Sequence, residues 1–268
     1  MLQDAVEGKL TAEWRKQQPV VEGDPQLDAA ALLVQVMADN GRLVNEGKIR
    51  EEKSLTPIPD GDKQFDTPEG WVWCSLGELC SKITDGTHQT PTYVEHGRMF
   101  LSAQNIKPFK FMPEIHKFVS EQAFQDCIKN RKPELGDVLV ARVGAGIGEA
   151  AVIDQDIEFA FYVSLGLVKP IHKALYNRFL AMLFNSPMGV AYSKGNIASG
   201  GTSAGNFNLE KIRTFPVPLP PILEQLAIVA RVDNLMVVID ELEKQVAERK
   251  DHAQMLMQTV LREAFAGS

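Results

Sequence analysis

The most regular pattern of apolar and polar positions lies at the C-terminal end. No glycine or proline interrupts the chain from Ile222 to Ala266, and apolar residues recur there on a heptad. The a positions are Val232, Ile239, Val246, Ala253 and Val260; the d positions are Ile228, Leu235, Leu242, Arg249 and Leu256. Only Arg249 breaks the seam. A helix of about 44 residues would be about 66 Å long, and an apolar seam of that length needs a partner helix. A coiled coil is therefore expected over 219–268. A second helical pattern falls in DPQLDAAALLVQVMADNGRLVNEGKI, residues 24–49, with Leu27, Ala30, Val34, Met37 and Val44 as its stripe. Asp24 is read as its N-cap and Pro25 as its first residue. The stretch SLTPIPDGDKQFDTPEG, residues 54–70, reads as an extended strap because of its prolines and glycines.

Between these lies a mixed α/β pattern. WVWCSLGELC reads as a strand turning into a short helix, and MFLSAQNI, VLVARV, EAAVI and FYVSLGLV read as short strands bounded by Gly, Pro and Asp. LYNRFLAMLFNS, residues 175–186, is helical, and FPVPLPP, residues 215–221, excludes a helix. Three segments follow: an arm and strap over 1–70, an α/β domain over 71–218, and the long helix over 219–268. The chain also ends much as it begins. In VLREAFAGS and MLQDAVEGK, Leu261, Ala264 and Gly267 align with Leu2, Ala5 and Gly8. That match reads as one unit of a tandem repeat, with Gly8 ending a short first helix.

Charge sharpens the division. The net charge is −7 over 268 residues. Residues 1–70 carry 8 Lys/Arg against 14 Asp/Glu, residues 71–215 carry 15 against 13, and residues 216–268 carry 5 against 8. Only the middle segment can meet phosphate without repelling it. Three cysteines (Cys74, Cys80 and Cys127) lack metal-ligand spacing and read as free thiols in a reducing cytosol. The sequence has no apolar run long enough for a membrane helix and no signal-peptide pattern at its start.

Candidate chemistry is sparse. VLVARVGAGIGEAAVI, residues 138–153, has the glycines of a nucleotide loop, but a strand-like run follows them where such a loop must open a helix. It reads as a glycine-rich hairpin. No phosphate loop, Gly-x-Ser-x-Gly elbow or other catalytic constellation is present. Three polar loops remain: DGTHQTPTY at 85–93, AQNIKPFKF at 103–111, and KGNIASGGTSAGNFN at 194–208. Asn and Gln pair with adenine, Arg and Lys with guanine, and hydroxyls and glycine amides with phosphate. The candidate DNA contacts are Thr87, His88, Gln104, Asn105, Lys107, Lys110, Arg142, Lys194, Asn196, Thr202, Ser203 and Asn206.

The order of these parts resembles the specificity subunit of type I restriction–modification systems. AVEGKLTAEWR at 5–15 and PEGWVWCSLGEL at 68–79 look like the family's conserved regions. ITDGTHQTPTY, LSAQNI, GDVLVARVGAGIGEAAVI and SGGT…NLEKIRTFPVPLPPILEQLAIV are similar to successive parts of its target-recognition domain. The resemblance implies an α/β (α+β) recognition domain with a long C-terminal coiled-coil helix and an N-terminal helical and extended arm. It implies a non-catalytic subunit that reads one half of a bipartite site on double-stranded DNA in the cytoplasm. A methyltransferase subunit and a motor-nuclease subunit would dock on it, carrying S-adenosylmethionine, ATP and Mg, while this chain itself binds no cofactor. The family pattern usually holds two recognition domains and this sequence holds one. It therefore reads as a half-length subunit, which would form a homodimer through the seam, or as part of a longer one. The competing expectation is a coiled-coil adaptor whose α/β domain binds protein, a reading that the acidic balance favours.

Overall fold

The computed structural model describes residues 1–46, 58–171, 173–198 and 205–266. The start of the strap, at 54–57, and both Thr202 and Ser203 lie outside the described residues. Two units are distinguished: Met1–Ile228, and the part of the chain from Val229 onward. The described residues before Trp71 thus belong to the same compact unit as the α/β segment.

The unit opens with α1 (Leu2–Val6) and α2 (Ala12–Gln17). Gly8 follows α1 with φ of 73°, the left-handed end expected there. Helix α3 spans Ala29–Asn45 and starts later than the reading at Asp24 and Pro25. Residues 24–28 form a separate turn closed on the Asp24 carbonyl, and the Asp28 carboxylate accepts the Ala30 N–H at 2.9 Å. Its packed face also differs from the expected stripe. Ala29, Leu32 and Val36 are buried, whereas Val34 and Met37 are exposed. Almost every position of AAALLVQVMA is apolar, so spacing alone cannot choose between two interleaved stripes.

The α/β part follows in chain order as β1 (Val72–Ser75), β2 (Cys80–Asp85), β3 (Tyr93–Val94), β4 (Arg98–Leu101), β5 (Ile106–Lys107), β6 (Lys110–Phe111) and β7 (Lys117–Val119). Then come α4 (Glu121–Ile128), β8 (Val138–Ala141), β9 (Ala150–Val152), β10 (Phe159–Phe161), β11 (Leu165–Pro170), α5 (Asn177–Asn185) and α6 (Pro187–Gly195). The segment closes with β12 (Ile197–Ala198), β13 (Asn206–Phe207), α7 (Leu209–Arg213) and β14 (Pro216–Leu219). One four-stranded sheet runs β2-β11-β8-β9 and is antiparallel throughout. The other runs β10-β4-β7-β3, with a parallel β10–β4 pair. All four residues of β8 are buried, which is why VLVA is apolar without alternation. Along β10 the period of two is clear. Phe159 and Phe161 join the core with Leu101, Leu139 and Leu167, while Ala160 joins Phe100, Val119 and Phe124.

The prolines of FPVPLPP form β14, paired antiparallel with β1 in a two-stranded ribbon. A proline that cannot donate is tolerated in such a ribbon, since half of each strand's N–H groups point away from the partner. Cys74 of β1 is fully buried, and burial pushes its thiol well above the ordinary range.

Helix α8 spans Ile222–Ala266, 45 residues, about 68 Å at the usual rise. Its first turn carries two buried polar side chains, Glu224 and Gln225. Gln225 donates to the carbonyls of Ala174 and Pro220 and accepts from Tyr176 N–H. Glu224 accepts from Thr11 Oγ1 at 2.6 Å, from Trp71 Nε1 at 2.7 Å and from the Arg15 guanidinium. The N-terminal segment, the end of the strap and the start of α8 are thereby joined at one carboxylate. Along the heptad, Ile228 and Val232 are buried, Leu235 is half-buried, and Ile239, Leu242, Val246, Ala253 and Leu256 are exposed. The side chain of Val260 is not described.

Candidate nucleic-acid interface

The register of the β2-β11-β8-β9 sheet gathers its connecting loops at one end. Strand β2 arrives there at Asp85 and β8 at Ala141, while β11 departs from Leu165 and β9 from Ala150. The loops at 86–92, 142–149 and 162–164 therefore leave the same end. The segment around β13 joins them, because Phe207 N–H donates to the Arg142 carbonyl at 2.9 Å. So does the β5–β6 hairpin, whose Phe109 N–H donates to the Ala150 carbonyl at 3.0 Å. Loops remote in sequence are thus brought to one surface by strand pairing.

Arg142 organises this end from within. It is 3% exposed. Its guanidinium donates to the Asp85 carboxylate, to the Val163 carbonyl at 2.9 Å and to the Phe207 carbonyl at 3.0 Å. Three of the converging segments are fixed by one planar donor set. The reading of Arg142 as a DNA contact is corrected by this burial, with Nε and Nη1 turned to acceptors inside the fold. Asn105 is corrected in the same way. It is 1% exposed; its Oδ1 accepts the Ser102 N–H at 2.9 Å, and its Nδ2 donates to the carbonyls of Met112 and Ile115. It closes a capping box on the short turn Ala103–Asn105.

The other candidates are placed as follows. Thr87 is half-buried, with its N–H on the Phe161 carbonyl and its own carbonyl accepting from Val163 N–H, both at 3.0 Å. This close approach requires the preceding glycine: a Cβ on Gly86 would lie 2.2 Å from the Phe161 carbonyl oxygen. Thr87 also adjoins Cys127, whose thiol is pushed up by burial and pulled back down by the Thr87 hydroxyl. His88 is exposed, with Nε2 at 3.2 Å from the Asp85 carboxylate. Gln104, Lys107, Lys110 and Lys194 are exposed. Lys107 Nζ lies 3.9 Å from Glu149 Oε2. Asn196 is half-buried and ends α6, its Nδ2 donating to the Tyr192 carbonyl. Asn206 sits on β13, and its buried Oδ1 has no partner among the described residues.

The glycine-rich stretch is a hairpin joining β8 to β9, as its sequence implies. Gly144 and Gly148 have φ of 86° and 88°, and a Cβ on Gly148 would lie 2.6 Å from the Ser193 side chain. Sequence reasoning missed Phe109. It is 45% exposed and is the single non-glycine residue at positive φ among the described residues, at 65°. Holding a phenylalanine there costs about 1–2 kcal/mol. No local signal marked it, since the two-residue hairpin loops that a sequence announces carry Asn-Gly, Asp-Gly or a leading glycine, and IKPFKF carries Pro-Phe.

This end of the sheet falls within the span that matches a known family. The profile of the type I restriction modification DNA specificity domain matches residues 68–249, more than half of the chain. The EcoEI type I restriction enzyme specificity subunit of Escherichia coli is 25% identical over 278 residues, covering 99% of this chain and 43% of the relative. The EcoAI specificity subunit of Escherichia coli is 26% identical over 282 residues, covering 97% and 42%. The chain therefore spans about two fifths of the length of these curated relatives. A solved chain described under complex assembly and conformational transition of the type I R-M system aligns over 96% of this chain and 57% of its own length. Its TM-score is 0.57 at 20% identity, a likeness of fold. The family profile, spanning the loop-bearing sheet and the start of the long helix, shows that the chain belongs to the type I restriction modification DNA specificity domain family.

Proposed function

We propose that this chain is a non-catalytic DNA sequence-recognition subunit of a type I restriction–modification complex, acting in the cytoplasm. In this reading it holds one half of a bipartite target on double-stranded DNA. The observation that carries the proposal is the convergence of the 86–92, 103–111, 142–149 and 205–207 segments at one sheet end inside the matched span. Exposed Gln104, Lys107, Lys110, Lys194 and His88 would face the duplex, with half-buried Thr87, Asn196 and Asn206 beside them. Residues 71–218 serve as the recognition segment. Family membership favours this reading over the adaptor.

The long helix is the proposed docking element. Its exposed Ile239, Leu242, Val246 and Leu256 leave an apolar seam that a second helix would cover. The partners are a modification subunit, a restriction subunit and a second copy of this chain. S-adenosylmethionine, ATP and Mg belong to those partner subunits in this account. No helix among the described residues is long and apolar enough to cross a membrane.

Salt dependence tests the interface. Binding to a mixed-sequence duplex should weaken linearly on a log–log plot against salt. Lys107→Ala and Lys110→Ala should each flatten that slope by about one unit, as expected for one lost phosphate contact. Slopes identical to that of the unaltered chain would remove the β5–β6 hairpin from the interface.

A further inference from the structure

We infer that Phe109 is a wedge residue of the DNA interface: its ring enters between adjacent base pairs while Lys107 and Lys110 hold the phosphates on either side. This rests on the DNA-reading proposal above and adds a residue and a mode of contact to it.

The hairpin itself supplies the argument. Its two outer apolar positions, Ile106 and Phe111, are 0% and 6% exposed and belong to the main core. They anchor the hairpin without help from a third ring. Register pairs Ile106 with Phe111 and Lys107 with Lys110, so only Pro108 and Phe109 form the loop. Proline fixes its own φ near −65°, and Phe109 follows at φ of 65°. These are the signs of a type II turn, whose third position takes glycine or asparagine without strain. Here phenylalanine occupies it and remains 45% exposed. A single exposed apolar residue needs no explanation. A large aromatic side chain held in a disfavoured backbone conformation, and left outside the core, returns little to the fold. Such outliers collect where the strain serves a contact.

The setting matches a wedge. The Phe109 N–H bond to the Ala150 carbonyl fixes the tip against the start of β9, beside the glycine hairpin. A two-residue tip is narrow enough to enter a groove. Apolar side chains that kink DNA are inserted from rigid elements between base steps, with cations on the adjacent backbone. Lys107 and Lys110 flank the ring and are exposed.

The test uses the chain together with its modification subunit and a randomised duplex pool. The enriched duplex is resynthesised with 2-aminopurine at each adenine in turn, and fluorescence reports local unstacking. At one step the signal should rise with the unaltered chain and with Phe109→Tyr, and not with Phe109→Gly. Affinity for that duplex should fall about tenfold in Phe109→Gly, as for one lost stacked base. Glycine suits the turn, so the melting temperature should hold and misfolding cannot account for the loss. A rise that is the same in all variants marks the base flipped by the modification subunit; without a second, Phe109-dependent step it overturns the wedge. Loss of co-purification in Phe109→Gly, with affinity and fluorescence unchanged, would make the tip a protein contact and overturn the wedge too. Failure to enrich any duplex would defeat the DNA-reading proposal itself.

Discussion

Replacing Arg142 by methionine should lower the stability of the folded chain by about 3–5 kcal/mol, the usual cost of stranding one partner of a buried ion pair. Side-chain exposure is 4% for Arg142 and 11% for Asp85. Methionine fills the same space without donors. Among the described residues, the Asp85 carboxylate would then keep the exposed His88 as its ion-pair partner, and the carbonyls of Val163 and Phe207 would lose the donors that now reach them. An additional Asp85→Asn change should restore part of the loss, because no charge is then left buried alone. Urea unfolding of the single and double variants measures both effects. A loss under about 1 kcal/mol for Arg142→Met would place the pair among surface bridges of little worth. The same variant should weaken DNA reading without touching DNA, since the loops at 86–92, 162–164 and 205–207 lose their common tie.

Glu224→Ala should cost a comparable amount, about 3–5 kcal/mol, for a different purpose. Glu224 is 1% exposed and accepts from Thr11, Arg15 and Trp71. Its loss leaves the buried Thr11 hydroxyl and the Trp71 indole N–H without this acceptor, and the Arg15 charge without its carboxylate. Glu224→Gln retains an acceptor and should cost less, about 1–3 kcal/mol. The residues tied to α8 through this carboxylate should also become early sites of protease cleavage in Glu224→Ala, ahead of global unfolding. An unaltered urea midpoint, with the N-terminal segment as resistant as before, would mean that the carboxylate is not the joint between that segment and α8.

The parts of this fold that were legible from sequence are those set by local pattern. The heptad run from Ile222 to Ala266 spells a long helix, and VLVA bounded by polar residues suits a buried strand, as each is found. What remained hidden depends on contacts distant along the chain. Strand β2 pairs with β11 and β10 pairs with β4, and no local pattern reports such partners. Asn105 and Arg142 show the same limit at the site. An amide or a guanidinium at a turn between strands carries the same signature whether it reads a base or clips a loop to the core. Burial decides between the two, and burial is a property of the folded chain. Phe109 was hidden for the opposite reason, since an aromatic beside core positions looks like core until its backbone angle and exposure are known.

The central claim is that the loop-bearing end of this sheet selects a DNA sequence for a partner to modify. Its most direct test is to express the chain with the modification subunit proposed to dock on it, in a host lacking other adenine methylation, and to map modified adenines by long-read sequencing. The account predicts methylation confined to a split motif, palindromic where two copies of this chain act together, and lost with Arg142→Met. No new methylation, with both proteins soluble and co-purifying, would contradict it.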